Sequence, residues 1–284
     1  MPIVPYTLTT GFNATGNLLN ALSDYGLNDT AYKLFESTDY ASWLYPVTQG
    51  ATSIWERWNG YTNELGFNGN NSMNSFNHYA YGAVAEWMYG YMAGILYDFD
   101  QPGFQHIILQ PTPDQSLDFV NGEYNSAYGK IISNWKYEGN TWSYEAVVPA
   151  NTTATIYLPV EDGKPFTVNG KTPEDVTVET DGLAYKGMED SKAVFEAVAG
   201  SYSFQTEVTE YCYVTIGNAD ETVPNQISVN GGIQQSLPLT IKATVGETIT
   251  LEAKPINDVD YQFVGWSGDV SSNDSKITVT PTAD

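Results

Sequence analysis

The segment Ser75–Ile95, SFNHYAYGAVAEWMYGYMAGI, decides the fold of the first part of this chain. Its apolar side chains recur at intervals of three and four residues, which is the period of an α-helix. Alanine and glycine residues lie between the aromatic ones and leave room for another helix to approach closely. Because apolar residues occupy most sides of the predicted helix, we expect it to be buried on more than one side, as in a barrel built of helices.

Three shorter segments that precede this one also have a helical pattern. They are Asn17–Tyr25, Thr30–Glu36 and Ala41–Thr48. Gly26 is a stop signal for the first, and Asn28 or Asp29 is a suitable N-cap for the second. Pro46 strains the third. These patterns predict a helical region over residues 1–98, with three or four helices, which are too few to close a barrel.

From residue 99 onward the pattern changes to short strands separated by polar turns such as Glu138–Asn140 and Asn169–Gly170. The strands predicted within residues 99–206 are His106–Gln110, Ala127–Lys136, Trp142–Val148, Thr153–Leu158, Ala193–Ala197 and Tyr202–Gln205. Their spacing predicts an antiparallel β-sandwich.

A third unit, a small β module, is predicted for residues 207–284. Its strands are Tyr211–Ile216, Gln226–Val229, Leu239–Thr244, Thr248–Pro255 and Lys276–Thr280. The stretch Phe263–Asp269 (FVGWSGD) resembles the FxGWSG element of small β repeats in bacterial surface proteins. One copy does not establish a repeat array, and we expect a truncated module. The predicted fold class of the whole chain is therefore multidomain α + β.

The composition of the chain argues against several classes of partner. The chain has 11 Lys and Arg residues against 34 Asp and Glu residues, and its net charge of −23 disfavours nucleic acid and anionic membranes but not a neutral sugar. The single cysteine, Cys212, excludes an intramolecular disulfide, and two histidines do not suffice for a histidine-rich metal site. No apolar run approaches the ~20 residues of a membrane span, and no glycine-rich phosphate loop follows a predicted strand. We therefore predict no metal, no cofactor and no membrane insertion.

One motif brings together residue types that suit sugar chemistry. The stretch Gln49–Gly60 (QGATSIWERWNG) sets one carboxylate, Glu56, between Trp55 and Trp58 and beside Arg57. Indoles stack on the apolar faces of sugar rings and exclude water from a carboxylate, which disfavours the charged form and suits a general base near neutral pH. A nearby cation has the opposite effect. The structural alternative is a buried ion pair between Glu56 and Arg57 in an aromatic core, with both tryptophans as packing residues.

The second motif, Ser72–Gly82 (SMNSFNHYAYG), places His78 at the start of the predicted long helix. A neutral imidazole has one hydrogen-bond donor and one acceptor, which suits a pair of sugar hydroxyls. The alternative is a buried histidine whose hydrogen bond goes to a backbone carbonyl.

These two motifs and three further segments resemble the bacterial α-L-rhamnosidases, family 78 of the glycoside hydrolases. The further segments are Thr10–Tyr45, Gly103–Pro113 and Tyr128–Pro159. The resemblance covers about residues 8–206 and preserves the order of the motifs. It implies that residues 1–98 are the last helices of an (α/α)6 catalytic barrel and that residues 99–206 are the C-terminal β-sandwich domain of that family.

The resemblance also implies a mechanism. The family inverts configuration, so one carboxyl group protonates the leaving oxygen while a second, the general base, activates water. By resemblance Glu56 is the general base and His78 contacts the sugar. We also predict that Trp55, Trp58 and Arg57 bind substrate, with core packing as the alternative for the tryptophans and a contact with Glu56 or a neighbouring helix as the alternative for Arg57. The general acid of the family lies in an upstream motif, which none of the local acids matches: Glu36, Asp39, Glu64 and Glu86. We therefore expect half of a catalytic pair, and no turnover by this chain alone.

Two other interpretations stay open at the level of sequence. The chain could be a non-catalytic carbohydrate-binding or surface-adhesion β protein, or an inactive remnant of a gene. The expected partners under the first interpretation are rhamnose-containing glycosides or polysaccharides. The sequence predicts neither the aglycone, nor the linkage, nor the oligomeric state, nor the localisation, although a surface-type module is compatible with export as part of a longer parent protein.

Overall fold

The structure, a computed structural model, describes residues 7–67, 72–220, 225–255 and 262–282. The remaining residues, including 1–6 of the predicted helical region and 283–284 of the last module, lie outside the described residues. The chain divides into two compact units, one that ends at Val208 and one that begins at Thr209.

Three helices open the first unit. They are α1 (Phe12–Asp24), α2 (Asn28–Glu36) and α3 (Tyr45–Thr48). The N-cap predicted for α2 is wrong, because the helix starts at Asn28 after Leu27 and has no side-chain cap. Asp29 lies in the first turn instead, where its negative charge suits the helix dipole, and Lys33 pairs with it one turn later at 2.7 Å. Gly26, at φ +75°, follows α1 as predicted.

The predicted long helix is shorter and less regular than its pattern indicates. A 3-10 turn at Ala80–Ala83 leads into the α-helical turn α4 (Val84–Trp87) and a π-helical turn at Met88–Met92. Gly94, at φ +71°, follows this composite helix, and a Cβ there would lie 2.1 Å from the backbone nitrogen of Pro111. Only glycine tolerates both conditions, so the chain turns here into a strand.

The helices share a core of large aromatic side chains. Trp87 is fully buried, donates from its indole N–H to the Ser23 hydroxyl at 2.9 Å, and meets the Tyr32 ring edge-on at 5.1 Å. The Trp43 indole donates to the Tyr81 carbonyl at 3.0 Å. Because both of these indole N–H groups have a hydrogen-bond acceptor, the burial of Trp87 and Trp43 leaves neither donor unsatisfied.

Ten strands complete the first unit. They are β1 (Ile95–Tyr97), β2 (His106–Leu109), β3 (Phe119–Ser126), β4 (Gly129–Glu138), β5 (Thr141–Val148), β6 (Thr153–Pro159), β7 (Phe166–Val168), β8 (Leu183–Glu189), β9 (Lys192–Ala197) and β10 (Gly200–Glu207). One sheet has the order β1-β2-β6-β9-β8 and the other β3-β4-β5-β10-β7. A 3-10 turn, Pro173–Asp175, and the short helix α5 (Val178–Asp181) precede β8.

The two sheets enclose one apolar core. Its largest fully buried members from each sheet are Trp135, Trp142, Tyr144, Phe195 and Phe204. Burial of a side chain of this size contributes roughly 2–3 kcal/mol to folding. The antiparallel prediction holds for every pair but one: β2 runs parallel to β6, with His106 opposite Thr153. The His106 ring bridges this pair, 2.7 Å from the Thr153 hydroxyl and 3.0 Å from that of Thr155.

The predicted strand Ala127–Lys136 is in fact the second arm of a hairpin. Strand β3 pairs with β4 along its whole length, and the chain turns between Ser126 and Gly129. The sequence of β3, FVNGEYNS, lacks an apolar run because one of its faces is exposed. Gly122 is required within it, since a Cβ there would lie 2.5 Å from the Cβ of Ala93.

The described residues of the second unit form six strands, and all five predicted ones are present with ends shifted by at most one residue. The strands are β11 (Tyr211–Ile216), β12 (Asn225–Val229), β13 (Gln235–Ser236), β14 (Leu239–Thr244), β15 (Ile249–Pro255) and β16 (Lys276–Val279). Strand β11 pairs with β14, and the other four form a sheet of order β13-β12-β15-β16. In the FVGWSGD stretch, the Trp266 indole donates to the Asp274 carbonyl at 2.9 Å.

Candidate functional site

The two sequence motifs lie side by side. The backbone N–H of Glu56 donates to the Ser75 carbonyl at 2.9 Å, and the N–H of His78 donates to the Ile54 carbonyl at 2.9 Å. These bonds join residues 54–56 and 75–78 in opposite directions. The pairing explains why the predicted helix does not start at Ser75, because the backbone of this segment bonds across to the first motif and becomes helical only at Ala80.

The side chain of Glu56 reinforces the same pairing. Its Oε2 atom accepts a hydrogen bond from the Ser75 N–H at 2.8 Å, so the two residues bond reciprocally. The residue is half-buried, and no described residue donates to its Oε1 atom. A carboxylate held by a backbone donor has a fixed orientation, and Oε1 remains available as an acceptor.

Glu56 does not form the buried ion pair with Arg57 that is the structural alternative for this motif. Within the described ranges no ion pair joins Glu56 to Arg57, although both side chains are half-buried and adjacent in sequence. The Arg57 carbonyl accepts from the Gly60 N–H at 3.2 Å and closes the turn that follows the motif. The guanidinium is therefore not committed to neutralising the neighbouring carboxylate.

The two tryptophans have different surroundings. Trp58 belongs to the helical core, where it stacks on Tyr81 at 3.6 Å and meets Trp43 edge-on at 5.7 Å. Trp55 is also buried and meets the Phe76 ring edge-on at 5.0 Å, so it links the two motifs. Both side chains pack as the structural alternative describes, and sugar contact by either stays a prediction.

His78 is half-buried at the end of the second paired segment. Its Nδ1 atom accepts a long hydrogen bond of 3.4 Å from the Ala80 N–H, at the start of the composite helix. The ring lies parallel to that of Tyr79, 5.6 Å away, and Tyr79 is 88% exposed. The arrangement places the imidazole beside an exposed aromatic face.

A cavity of about 430 Å³ opens beside the first motif. Its lining residues are Tyr40, Tyr45, Gln49, Asn59, Thr62, Asn63, Glu64 and Leu65. It includes Gln49 and Asn59 from the motif but neither Glu56 nor His78. Tyr40 and Tyr45, whose rings meet edge-on at 5.3 Å, were not predicted as site residues, because they belong to neither of the two motifs and reach this cavity only through folding.

One carboxyl group outside the motifs has a perturbed environment. Glu36, at the end of α2, accepts from the Ser116 hydroxyl at 2.8 Å. Burial raises the pKa of Glu36 above its ordinary value of 4.5, the hydrogen bond from Ser116 opposes that rise, and the charge of Asp114 adds to it. This pair joins the helical region to the segment that leads into β3.

We expect the substitution Glu36→Gln to change the pH dependence of stability. A carboxyl group whose pKa is raised by folding stabilises the fold below its unfolded pKa, and this contribution is lost as the pH rises through the folded pKa. The variant should therefore gain stability relative to the wild type between pH 4 and pH 7, as measured by chemical denaturation at both values. An unchanged difference between the two proteins across that range would contradict the assignment.

The described part of the chain offers neither a metal site nor a membrane-spanning helix. No group of three or more His, Cys, Asp and Glu side chains within the described ranges is placed to hold a metal ion. None of the helices within those ranges is long and apolar enough to span a bilayer.

Two family profiles match adjoining parts of the chain. Residues 4–92 match the bacterial alpha-L-rhamnosidase 6 hairpin glycosidase domain, and residues 94–172 match the bacterial alpha-L-rhamnosidase C-terminal domain. The boundary between the matches falls at Gly94, where the composite helix gives way to β1.

Relatives of known activity and structure agree with these matches. An alpha-L-rhamnosidase of Formosa agariphila is 39% identical over 70% of this chain, and one of Streptomyces avermitilis is 35% identical over 69%. The chain covers 21% and 18% of their lengths, so it spans about a fifth of these relatives. The crystal structure of the Streptomyces avermitilis enzyme complexed with L-rhamnose superposes with a TM-score of 0.60 at 34% identity, covering 70% of this chain and 18% of that one. The structure of alpha-L-rhamnosidase from Dictyoglumus thermophilum gives 0.61 at 28% identity, covering 71% and 21%.

Proposed function

This chain belongs, through residues 4–172, to the bacterial α-L-rhamnosidases, and on that premise we propose that it forms part of an inverting glycoside hydrolase that releases α-L-rhamnose from glycosides or polysaccharides. In this proposal residues 1–98 are the last helices of an (α/α)6 barrel, residues 99–206 are the C-terminal β-sandwich, and residues 207–284 are a separate small β module. The family membership supports the reaction class, and the residue roles rest on the geometry of the two paired motifs.

The observation that carries the proposal is the reciprocal bonding of Glu56 and Ser75 next to His78. It orients one carboxylate oxygen by a backbone donor and leaves the other as an acceptor, without a paired cation. A general base in an inverting hydrolase needs such an acceptor, since it removes a proton from the water that attacks the anomeric carbon.

The other motif residues have supporting roles in the proposed site. His78 contacts a sugar hydroxyl through its imidazole, and the exposed ring of Tyr79 beside it presents an apolar face. Arg57, whose guanidinium forms no ion pair with any described residue, donates to further hydroxyls. Trp55 and Trp58 border the site from the core and limit the access of water to the carboxylate.

The proposal assigns one carboxyl group of two to this chain. An inverting pair stands roughly 6.5–9.5 Å apart across the sugar, and the second member protonates the leaving oxygen. We propose that this general acid comes from a part of the catalytic domain outside this sequence, because Glu36, Asp39, Glu64 and Glu86 do not match the general-acid motif of the family. The chain alone then binds sugar weakly and does not turn it over.

A chimeric enzyme tests the proposal. In the Streptomyces avermitilis α-L-rhamnosidase, the segment that aligns with this chain is replaced by the corresponding residues of this chain. The chimera should hydrolyse an aryl α-L-rhamnoside and release β-L-rhamnose first, as followed by proton NMR during the first minutes. Initial release of α-L-rhamnose would contradict the inverting assignment. Turnover by the unfused 284-residue chain would contradict the assignment of a single catalytic carboxyl group.

A further inference from the structure

The sandwich has a cleft of its own on the outer face of the sheet that contains β3, β4 and β5. The cleft has a volume of about 450 Å³, which falls in the range of small-molecule binding sites. Its lining includes Phe119, Asn121, Asn134, Lys136, Ser143 and Glu145. None of them belongs to the two motifs of the proposed catalytic site.

The register of the strands arranges the outward side chains in two rows. Asn121 on β3 is opposite Asn134 on β4, and Asn134 is opposite Glu145 on β5. The second row lies two residues further along each strand and consists of Phe119, Lys136 and Ser143. Directly opposed residues lie about 5 Å apart, and successive rows about 7 Å apart. Amide, carboxylate, hydroxyl and aromatic groups therefore share one surface of the size of a few sugar rings.

The first row does not use its hydrogen-bonding capacity within the described chain. The Oδ1 atom of Asn134 is shielded from solvent and has no hydrogen-bond partner there. The side chains of Asn121 and Glu145 are exposed and likewise form no hydrogen bond or ion pair with described residues. Buried polar atoms in folded proteins are normally satisfied, so an unsatisfied one at the floor of a cleft indicates a site where a ligand can supply the partner.

The neighbouring lysines, in contrast, form ion pairs. Lys136 is paired with Glu138 at 2.8 Å, and on the same face Lys130 is paired with Glu123 at 2.7 Å. The lysines are thus neutralised by partners on the sheet, whereas the amide-carboxylate row is left open. This contrast shows that the open row is not a general property of the surface of the sheet.

The chemistry of the cleft selects a neutral, polyhydroxylated ligand. A carboxamide offers both donors and acceptors, and rotation of the side-chain amide of Asn134 exchanges their positions. The amide can therefore donate to either one of two neighbouring hydroxyls and accept from the other. Phe119, which is 60% exposed, supplies an apolar face for one sugar ring. The lining contains the carboxylates of Asp118, Glu138 and Glu145 against the single ammonium of Lys136, which disfavours anions.

From the cross-strand row Asn121–Asn134–Glu145, its unsatisfied amide and the exposed ring of Phe119, we propose that the outer face of β3–β4–β5 is a non-catalytic binding site for a neutral oligosaccharide. The site holds the glycan by hydrogen bonds to pairs of hydroxyls and by contact of one ring face with Phe119. It lies in the sandwich, and its function does not depend on the proposed role of Glu56.

Titration of the 284-residue protein with a neutral tetrasaccharide of α-linked L-rhamnose tests this site. The 1H–15N shifts that the ligand perturbs should concentrate on the outward residues of β3, β4 and β5. The variants Asn134→Leu and Glu145→Ala should each weaken the binding measured through those shifts by about fivefold or more, because each removes hydrogen bonds to the glycan. Glu145 is exposed, so its variant retains the fold even where Asn134→Leu is destabilised.

The matched control is Asn125→Leu, which changes an outward asparagine of β3 outside the cleft and should leave the affinity unchanged. Three results would overturn the proposal: no shifts at millimolar ligand, shifts confined to residues outside these strands, or equal affinities of the wild type and both cleft variants. Shifts confined to residues 54–57 and 75–79 would support the proposed catalytic site while removing this one, so the two proposals fail separately.

Discussion

Replacing Glu56 with Gln in the chimeric rhamnosidase is expected to lower kcat by about 10²–10⁴-fold, the range that general-base catalysis supplies. The substitution keeps the size of the side chain and an oxygen that can accept from the Ser75 N–H, so the pairing of the two motifs is preserved. It removes the basicity needed to take a proton from the attacking water. Since this interaction develops in the transition state, KM should change little.

The control for this prediction is Glu179→Gln, which neutralises an exposed carboxylate on α5, in the sandwich and outside both motifs. That chimera should keep kcat within a factor of about two of the parent, because an exposed surface charge contributes little to the fold. Equal rates for the Glu56 variant and this control would remove Glu56 from the mechanism.

The second large effect concerns the junction between the composite helix and the sandwich. The substitution Gly94→Ala should lower the free energy of unfolding by about 3 kcal/mol, because the new methyl group meets the backbone of Gln110 and Pro111 and the residue must keep a left-handed conformation. The hydrogen bond from the Gln110 N–H to the Gly94 carbonyl, 2.8 Å long, prevents the two segments from moving apart freely. Urea denaturation of the 284-residue chain measures the loss.

Gly103 provides the matched control for Gly94. It has φ +86°, but a Cβ there meets no atom within 4 Å. The substitution Gly103→Ala should therefore cost only the conformational penalty, about 1 kcal/mol. The difference in unfolding free energy between the two variants measures the cost of the backbone crowding at Gly94. Equal losses of stability would show that the crowding is relieved at no cost.

The elements that local pattern determines were predictable from the sequence. The strands of the second unit alternate short apolar runs with turns, and their predicted ends match the structure to within one residue. The helices were found as well, although α1 begins five residues before the predicted Asn17. Propensity and period depend on neighbouring residues, so such elements can be found without knowledge of the tertiary structure.

Non-local pairing accounts for what the sequence did not predict. The helical period continues through Ser75–His78, but their backbone bonds instead to residues 54–56, a partner that no local pattern identifies. The same applies to the parallel pairing of β2 with β6 and to β3, whose polar composition hides an edge strand. In the candidate site, the sequence placed Glu56 and His78 in neighbouring motifs. It could not tell that Glu56 bonds to Ser75 and not to Arg57, because that choice depends on the backbone geometry.

Azide rescue of the chimera with the substitution Glu56→Ala tests the central claim most directly. With the base removed, a small anion fits the space left by the carboxylate and attacks the anomeric carbon from that side without deprotonation. The account predicts that sodium azide restores turnover of an aryl α-L-rhamnoside and that proton NMR identifies the product as β-L-rhamnosyl azide. Absence of rescue, or formation of the α-azide, would contradict the assignment of Glu56 as the general base of an inverting rhamnosidase.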